Sequence, residues 1–343
     1  MDESNILKIG SNYIDLVGET LASTGISGKI LYVSGPVTDK LYGEKVRSQI
    51  KKIGILKEEI VDHNTIEYAM NIAGRVIATD VNCIVAMGGG KVLDVCKYAA
   101  YMTKTPLLSI PTTMANDGIA SPIAVLKRND GKPKSLGCVM PSMLIVDTDI
   151  ILQGPKELIK AGIGDTISNY TSLMDWELAV FRGKDEMNGY AYLMSKNALD
   201  ALLSTRYDSI CEGFVNILGN SLVLSGIAME FVGSSRPVSG SEHLFSHALD
   251  YYCDNKNLHG IQVALGTVAV LKLCDKSCDI VVDYLNKYDV EINPLKLNID
   301  MDSFVYCMQN AMSMRKNRYT CLDEVDLSED RLKKVYEELV KDL

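Results

Sequence analysis

Residues 82–102 read NCIVAMGGGKVLDVCKYAAYM. Cys83–Met87 is a short apolar run bounded by polar residues, the pattern of a buried strand. Gly88, Gly89 and Gly90 break it, and Lys91 onward has helical composition. A strand that enters a helix through glycines is half of a βαβ unit. Three glycines let backbone approach a ligand closely. The helix N-terminus behind them offers free N–H groups and a partial positive charge, which suits a pyrophosphate. The stretch is not a P-loop, because Val85 stands where the first glycine belongs and Val92 where Ser or Thr belongs.

Working outward, KILYVSG (29–35), PLLSIPTT (106–113) and MLIVDTDII (143–151) are further strands, with an amphipathic helix at 67–79. VRSQIKKIGI (46–55) has helical composition. IAVLKRNDGKPKSLG (123–137) interrupts the alternation with two runs flanking NDGK, a hairpin signal. After about residue 152 the strands stop. Apolar-periodic helices take over at 155–181, 188–204, 211–233, 241–252, 259–275, 302–313 and 329–341. The expected fold is α/β: a Rossmann-like parallel-sheet domain over 1–153 and an all-helical domain over 154–343.

The net charge of −9 argues against nucleic acid and anionic membrane surfaces as partners, so an anionic small-molecule substrate needs local cationic donors. The run 213–232 is the most membrane-like, but Asn216, Asn220 and Glu230 favour a buried bundle helix over a span. Nine scattered cysteines without a CxxC pair, and an N-terminus lacking a basic-then-apolar leader, point to a reducing cytoplasm.

Three of the four histidines fall in GSEHLFSHALDYYCDNKNLHG (240–260). His243 and His247 share a helix face, and His259 opens the next segment. A catalytic metal centre needs three protein ligands and an open position. The cluster supplies two or three, and Asp165 in KAGIGDTISNY is the best complementary carboxylate; a helix N-cap after Gly164 is its ordinary alternative. Small residues around Asp165 would let the chain pack close to a cofactor. A metal there acts as a Lewis acid on an alcohol oxygen, whose carbon can give a hydride to a nicotinamide.

MGGGKVLDVCKYAA, PTTMANDGIASPIAVL, AGIGDTISNYTSLMDWELA, SRPVSGSEHLFSHALD and LHGIQVALGT together resemble the glycerol-1-phosphate dehydrogenase family. That family lies in the superfamily that also holds glycerol dehydrogenases, iron-containing alcohol dehydrogenases and dehydroquinate synthases. The resemblance implies that Gly88, Gly89, Gly90, Lys91 and Val92 hold the phosphates of NAD or NADP. It implies that Thr112, Thr113 and Ser121 touch the nucleotide and that Asp117 binds substrate hydroxyls. Asp165, His243 and His259 would hold one divalent metal, with zinc favoured and iron or nickel compatible. Asp165 would also lie near substrate, and His247 would be left as proton relay. The implied reaction interconverts dihydroxyacetone phosphate and sn-glycerol 1-phosphate. Dehydrogenation of free glycerol is the alternative on the same scaffold, and a homodimer is the expected assembly. Arg236, close to the histidine helix, is a candidate phosphate partner, with a surface arginine before Pro237 as the equal alternative.

Overall fold

The computed structural model describes residues 6–253 and 256–341, and the chain divides into two compact units. The first holds residues through Met114, Gly118–Pro155 and Cys211–Gly219; the second holds Ala115–Asp117, Lys156–Ile210 and the residues from Asn220 onward. Two short segments therefore depart from a simple division at residue 153.

The first unit carries strands β1 (Ile6–Gly10), β2 (Gly28–Ser34), β3 (Gly54–Ile60), β4 (Cys83–Gly88), β5 (Leu107–Pro111), β6 (Ile123–Lys127), β7 (Pro133–Gly137) and β8 (Met143–Asp147). Its helices are α1 (Val17–Ser23), α2 (Pro36–Thr38), α3 (Glu44–Ile50), α4 (Ile66–Ala78), α5 (Gly90–Thr103) and α6 (Thr148–Gln153). Six strands form a parallel sheet in the order β1-β8-β5-β4-β2-β3. Every residue of β4, β5 and β8 is buried, as a sheet covered on both faces requires. The edge strand β3, GILKEEI, is mostly solvent-facing and lacks an apolar run. The helical reading of 46–55 is corrected there: the helix stops at Ile50, and Gly54 and Ile55 open a strand. β6 and β7 form the separate antiparallel hairpin, with Gly131 at φ +79 in its turn.

The second unit is helical among the described residues: α7 (Lys156–Ile167), α8 (Asn169–Phe181), α9 (Gly189–Leu203), α11 (Ser241–Tyr252), α12 (His259–Leu273), α13 (Asp279–Lys287), α14 (Met301–Asn310) and α15 (Glu329–Lys341). The intervening α10 (Glu212–Val232) has residues in both units. It is the one described helix long and apolar enough to cross a membrane. Phe214, Leu218, Leu222 and Ala228 on it are fully buried, as in a core helix.

Two helices of the second unit touch through glycine. A Cβ on Gly260 would lie 1.9 Å from Ala161 O, and one on Gly164 would lie 2.1 Å from Gly260 O. Only hydrogen fits between α7 and α12 at this level. The small residues around Asp165, read as room for a cofactor, are instead room for a neighbouring helix.

Two glycine substitutions should therefore move stability in opposite directions. Gly260→Ala should destabilise the chain by about 1–3 kcal/mol through overpacking. Gly74→Ala, in the exposed face of α4 with nothing near its Cβ, should stabilise by about 0.5–1 kcal/mol through helix propensity. Thermal or denaturant unfolding of the two variants checks both signs.

Candidate functional site

In the parallel sheet the strand order reverses between β2 and β4. Ligands of open α/β sheets sit outside the carboxyl ends of strands at such a reversal. β4 ends there in Gly88, Gly89 is the extended residue before α5, and no side chain caps that helix. A Cβ on Gly88 would meet Val92 Cγ2 at 2.8 Å, so this glycine is required by packing. Val92 is itself buried, while Lys91 is exposed and Gly90 has open space around it. Thr112 N donates to Gly88 O at 3.0 Å, and a Cβ on Gly89 would stand 3.4 Å from Thr113 Oγ1. Both threonines thus lie against the turn. Ser121 is buried, its hydroxyl 3.5 Å from Ile123 O.

Lys97, which sequence reasoning passed over, is fully buried one helical turn beyond Asp94. Its Nζ donates to the carbonyls of Gly118 (2.8 Å), Ser121 (3.4 Å) and Ile123, and pairs with Asp94 Oδ1 at 3.0 Å. The cation holds the Gly118–Ile123 loop against α5. A buried lysine survives only when paired and saturated with acceptors.

The second unit brings the histidines together with Asp165. Asp165 sits inside α7, so the N-cap alternative is excluded. His243 lies on α11, and His259 is the first residue of α12. Asp165 Oδ1 is 4.0 Å from His243 Nε2 and 3.8 Å from His259 Nε2, and one donor atom from each residue lies within 4.8 Å of the others. The approach of Gly164 to Gly260 explains the encounter, because Asp165 and His259 are their immediate neighbours in sequence.

Hydrogen bonds set the tautomers. Glu242 Oε1 accepts from His243 Nδ1 at 2.8 Å, leaving the Nε2 lone pair aimed at Asp165. Ser246 Oγ gives its only proton to Gln262 Oε1 (2.5 Å), so it accepts from His259 Nδ1 at 3.0 Å. His259 Nε2 is therefore also a free lone pair. Gln262 Nε2 in turn donates to Asp250 Oδ1 at 2.9 Å. Two imidazole lone pairs and a carboxylate converging on one largely buried point suit a divalent cation with open positions. Tetrahedral ligation at about 2.0–2.1 Å spaces donors by about 3.4 Å, so the present 3.8 and 4.0 Å gaps need about half an ångström of contraction.

His247 stacks beside His259, ring centroids 6.0 Å apart, and makes no hydrogen bond among the described residues. Asp117 N donates to Asp165 Oδ2 at 2.9 Å, which brings the Asp117 turn to the centre. Burial pushes His243 and His259 down to about 3 and His247 well below its usual range, so all three are neutral near pH 7. Burial, then Asp117, raises the Asp165 carboxyl well above the usual carboxylate range. A dication beside it would reverse that shift.

Buried Asp175 organises the start of α11. It accepts from Ser241 N (2.6 Å), Ser241 Oγ (2.7 Å) and Cys321 N (2.7 Å); burial and neighbouring Glu242 push it up to about 6. Arg236 does not fill its expected role. It is 4% exposed, its Nη2 donates to Asp175 O (3.0 Å) and Tyr319 O (2.8 Å), and Asp185 Oδ2 lies 2.9 Å from Nε without hydrogen-bond alignment. Those partners make it a brace between segments. Glu242, Ser246 and Gln262 were likewise missed, because a residue that acts through a histidine carries no motif of its own.

Residues 8–155 match the family model described as iron-containing alcohol dehydrogenase. The glycerol dehydrogenase of Schizosaccharomyces pombe shares the fold, with a TM-score of 0.78 at 17% identity, covering 98% of this chain and 89% of that one. The sulfoacetaldehyde reductase of Bifidobacterium kashiwanohense does so at 0.74 and 14%, covering 98% and 97%. The chain thus has the fold of these dehydrogenases and reductases, and its first unit matches the iron-containing alcohol dehydrogenase model. Sequence similarity is more specific. Glycerol-1-phosphate dehydrogenase [NAD(P)+] of Hyperthermus butylicus is 36% identical over 328 residues, 93% of this chain and 92% of that protein. The enzyme of that name from Staphylothermus marinus is 36% identical over 330 residues, 94% and 92%. The chain belongs to the glycerol-1-phosphate dehydrogenase family.

Removing the hydroxyl that orients His259, by Ser246→Ala, should weaken the affinity of the cluster for a divalent cation by about 10- to 100-fold. Asp165→Asn, which removes the one anionic donor, should weaken it further. Chelator competition measures both, and unchanged affinity in Ser246→Ala would remove Ser246 from the centre.

Proposed function

We propose that the chain is a metal-dependent, NAD(P)-linked dehydrogenase that interconverts dihydroxyacetone phosphate and sn-glycerol 1-phosphate. The observation that carries the reading is the convergence of Asp165, His243 and His259 within 4.8 Å, in a chain whose relatives bear that enzyme's name at 36% identity. These three are the proposed ligands of one divalent cation, zinc in the first instance. The cation supplies Lewis-acid polarisation of the substrate oxygen when bound.

The chain's own residues supply the rest. His243 and His259, neutral and fixed by Glu242 and Ser246, present lone pairs without having to lose a proton first. His247 is neutral with both ring nitrogens unengaged, so it can donate an N–H to a substrate oxygen while its other nitrogen accepts. Its depressed pKa favours relay through the neutral ring over a standing imidazolium. Asp117, tied to Asp165 through its backbone, is the proposed holder of substrate hydroxyls. In the other unit, Gly88–Gly90, the exposed end of α5 and the two threonines against the turn are the proposed seat of the NAD(P) phosphates. Lys91, Val92 and Ser121 are proposed to complete it, Val92 through its backbone because its side chain is packed away. Nine cysteines, all free thiols, support a reducing, cytoplasmic setting; a homodimer is the proposed assembly.

NADH and NADPH oxidation with dihydroxyacetone phosphate and with dihydroxyacetone, in metal-stripped and zinc-reloaded enzyme, tests the reading. Stripped enzyme should be inactive, and reloaded enzyme should favour the phosphorylated ketone. Faster turnover of dihydroxyacetone would transfer the assignment to free polyols. His247→Ala should lower kcat by about 10²- to 10⁴-fold if the ring relays a proton.

A further inference from the structure

With Arg236 engaged elsewhere, the phosphate of the proposed substrate lacks a cationic partner in a chain of net charge −9. The segment MRKNRYT (314–320) provides one. It follows α14 and the 3-10 turn Ala311–Met314. Arg315 Nη1 donates to Ser235 Oγ at 2.5 Å. Arg318 Nη1 donates to Ser239 O, and its Nη2 lies 3.3 Å from Ser235 Oγ. Both arginines therefore grip residues 235–239, the stretch that leads directly into the histidine helix.

Their charge is not neutralised. Among the described residues, neither half-buried guanidinium has a carboxylate within 4 Å. Arg47, Arg75, Arg128, Arg182, Arg236 and Arg331 each have one, and Arg206, the other exception, is exposed to water. Burial, then Arg315 and Arg236, pushes Arg318 down to about 9, the mark of cations crowded in a partly dry place. Ser235 and Ser239, which the two arginines hold, lie just before Ser241 on the same continuous stretch of chain, so both cations stand beside the start of the histidine helix. Half-buried cations without counter-charge are costly unless an anion completes them. A guanidinium with most of its N–H groups uncommitted is the side chain best matched to phosphate oxygens.

We infer that Arg315 and Arg318 form the seat of the substrate's phosphate group and set the preference for a phosphorylated ketone over a free one. The inference rests on the dihydroxyacetone phosphate reading above. The serines they hold keep both guanidiniums beside the start of α11, so the phosphate is anchored while the carbonyl end faces His247 and the Asp165 centre.

Arg315→Gln and Arg318→Gln should each raise KM for dihydroxyacetone phosphate by about 10- to 100-fold, as expected for a lost charge-assisted contact. The preference ratio in kcat/KM for dihydroxyacetone phosphate over dihydroxyacetone should collapse by a similar factor. Inorganic phosphate should inhibit the parent enzyme competitively and the variants far more weakly. Arg315→Lys should recover part of the affinity, whereas a purely structural role would not distinguish the two substrates. A second measurement avoids variants altogether: phenylglyoxal labelling of zinc-loaded parent enzyme, read by peptide mass spectrometry. Inorganic phosphate should protect Arg315 and Arg318 but not exposed Arg206. Equal labelling with and without phosphate, or variants that keep the parent's preference ratio, would overturn the assignment while leaving the dehydrogenase reading intact. A parent enzyme that prefers dihydroxyacetone would overturn both.

Discussion

The centre depends on one close approach between backbones. Gly164 on α7 and Gly260 on α12 meet where a single methyl group would collide with a carbonyl oxygen. Each glycine adjoins a residue of the cluster, Asp165 on one side and His259 on the other, so helix packing and the spacing of the donor atoms are the same event. α11 joins them by a similar device. A Cβ on Gly266 of α12 would stand 2.9 Å from Glu242 O, which brings His243 to the other two. Interiors packed this tightly transmit small displacements instead of absorbing them. A centre built at such a contact is therefore held to a narrow range of donor spacings.

Around that contact the fold concentrates buried charge. Asp165, Asp175 and Glu242 are three carboxylates withdrawn from water, and each is pushed up by burial. Asp175 and Glu242 are saturated with donors: backbone N–H groups at 240, 241 and 321, the hydroxyls of Thr171 and Ser241, and His243 Nδ1. Asp165 has a single backbone donor and two neutral imidazoles pointing lone pairs at it, which is an arrangement that calls for a cation. Arg315 and Arg318, which hold Ser235 and Ser239 just before α11, carry the opposite imbalance. A site with one unmet negative demand and one unmet positive demand is suited to a metal and a phosphorylated ligand together.

Much of this was legible beforehand, for reasons that differ by element. β4 and β8 carry continuous apolar runs because both sheet faces are covered, and such runs stand out in a sequence. The edge strand β3 carries a Lys-Glu-Glu run and β1 has a lysine at its middle, so neither shows the continuous apolar run that marks a buried strand. α13, Asp279–Lys287, went unread because nine residues offer too few turns for a clear periodicity. Arg236 was misjudged because proximity in sequence to the histidine helix says nothing about which way a guanidinium turns. Arg315 and Arg318 were overlooked because they lie some 70 residues downstream of that helix.

The sequence by itself determined the α/β-then-helical plan, the glycine turn after β4, the family and the identity of the residues around the centre, because periodicity and local motifs are one-dimensional signals. Tertiary structure alone decided that small residues beside Asp165 serve helix contact, that Glu242 and Ser246 assign the histidine tautomers, and that Arg315 and Arg318 hold the residues leading into the histidine helix while Arg236 braces other segments. Each of those depends on which surfaces meet after the helices pack, and residues that meet across distant turns leave no spacing to read.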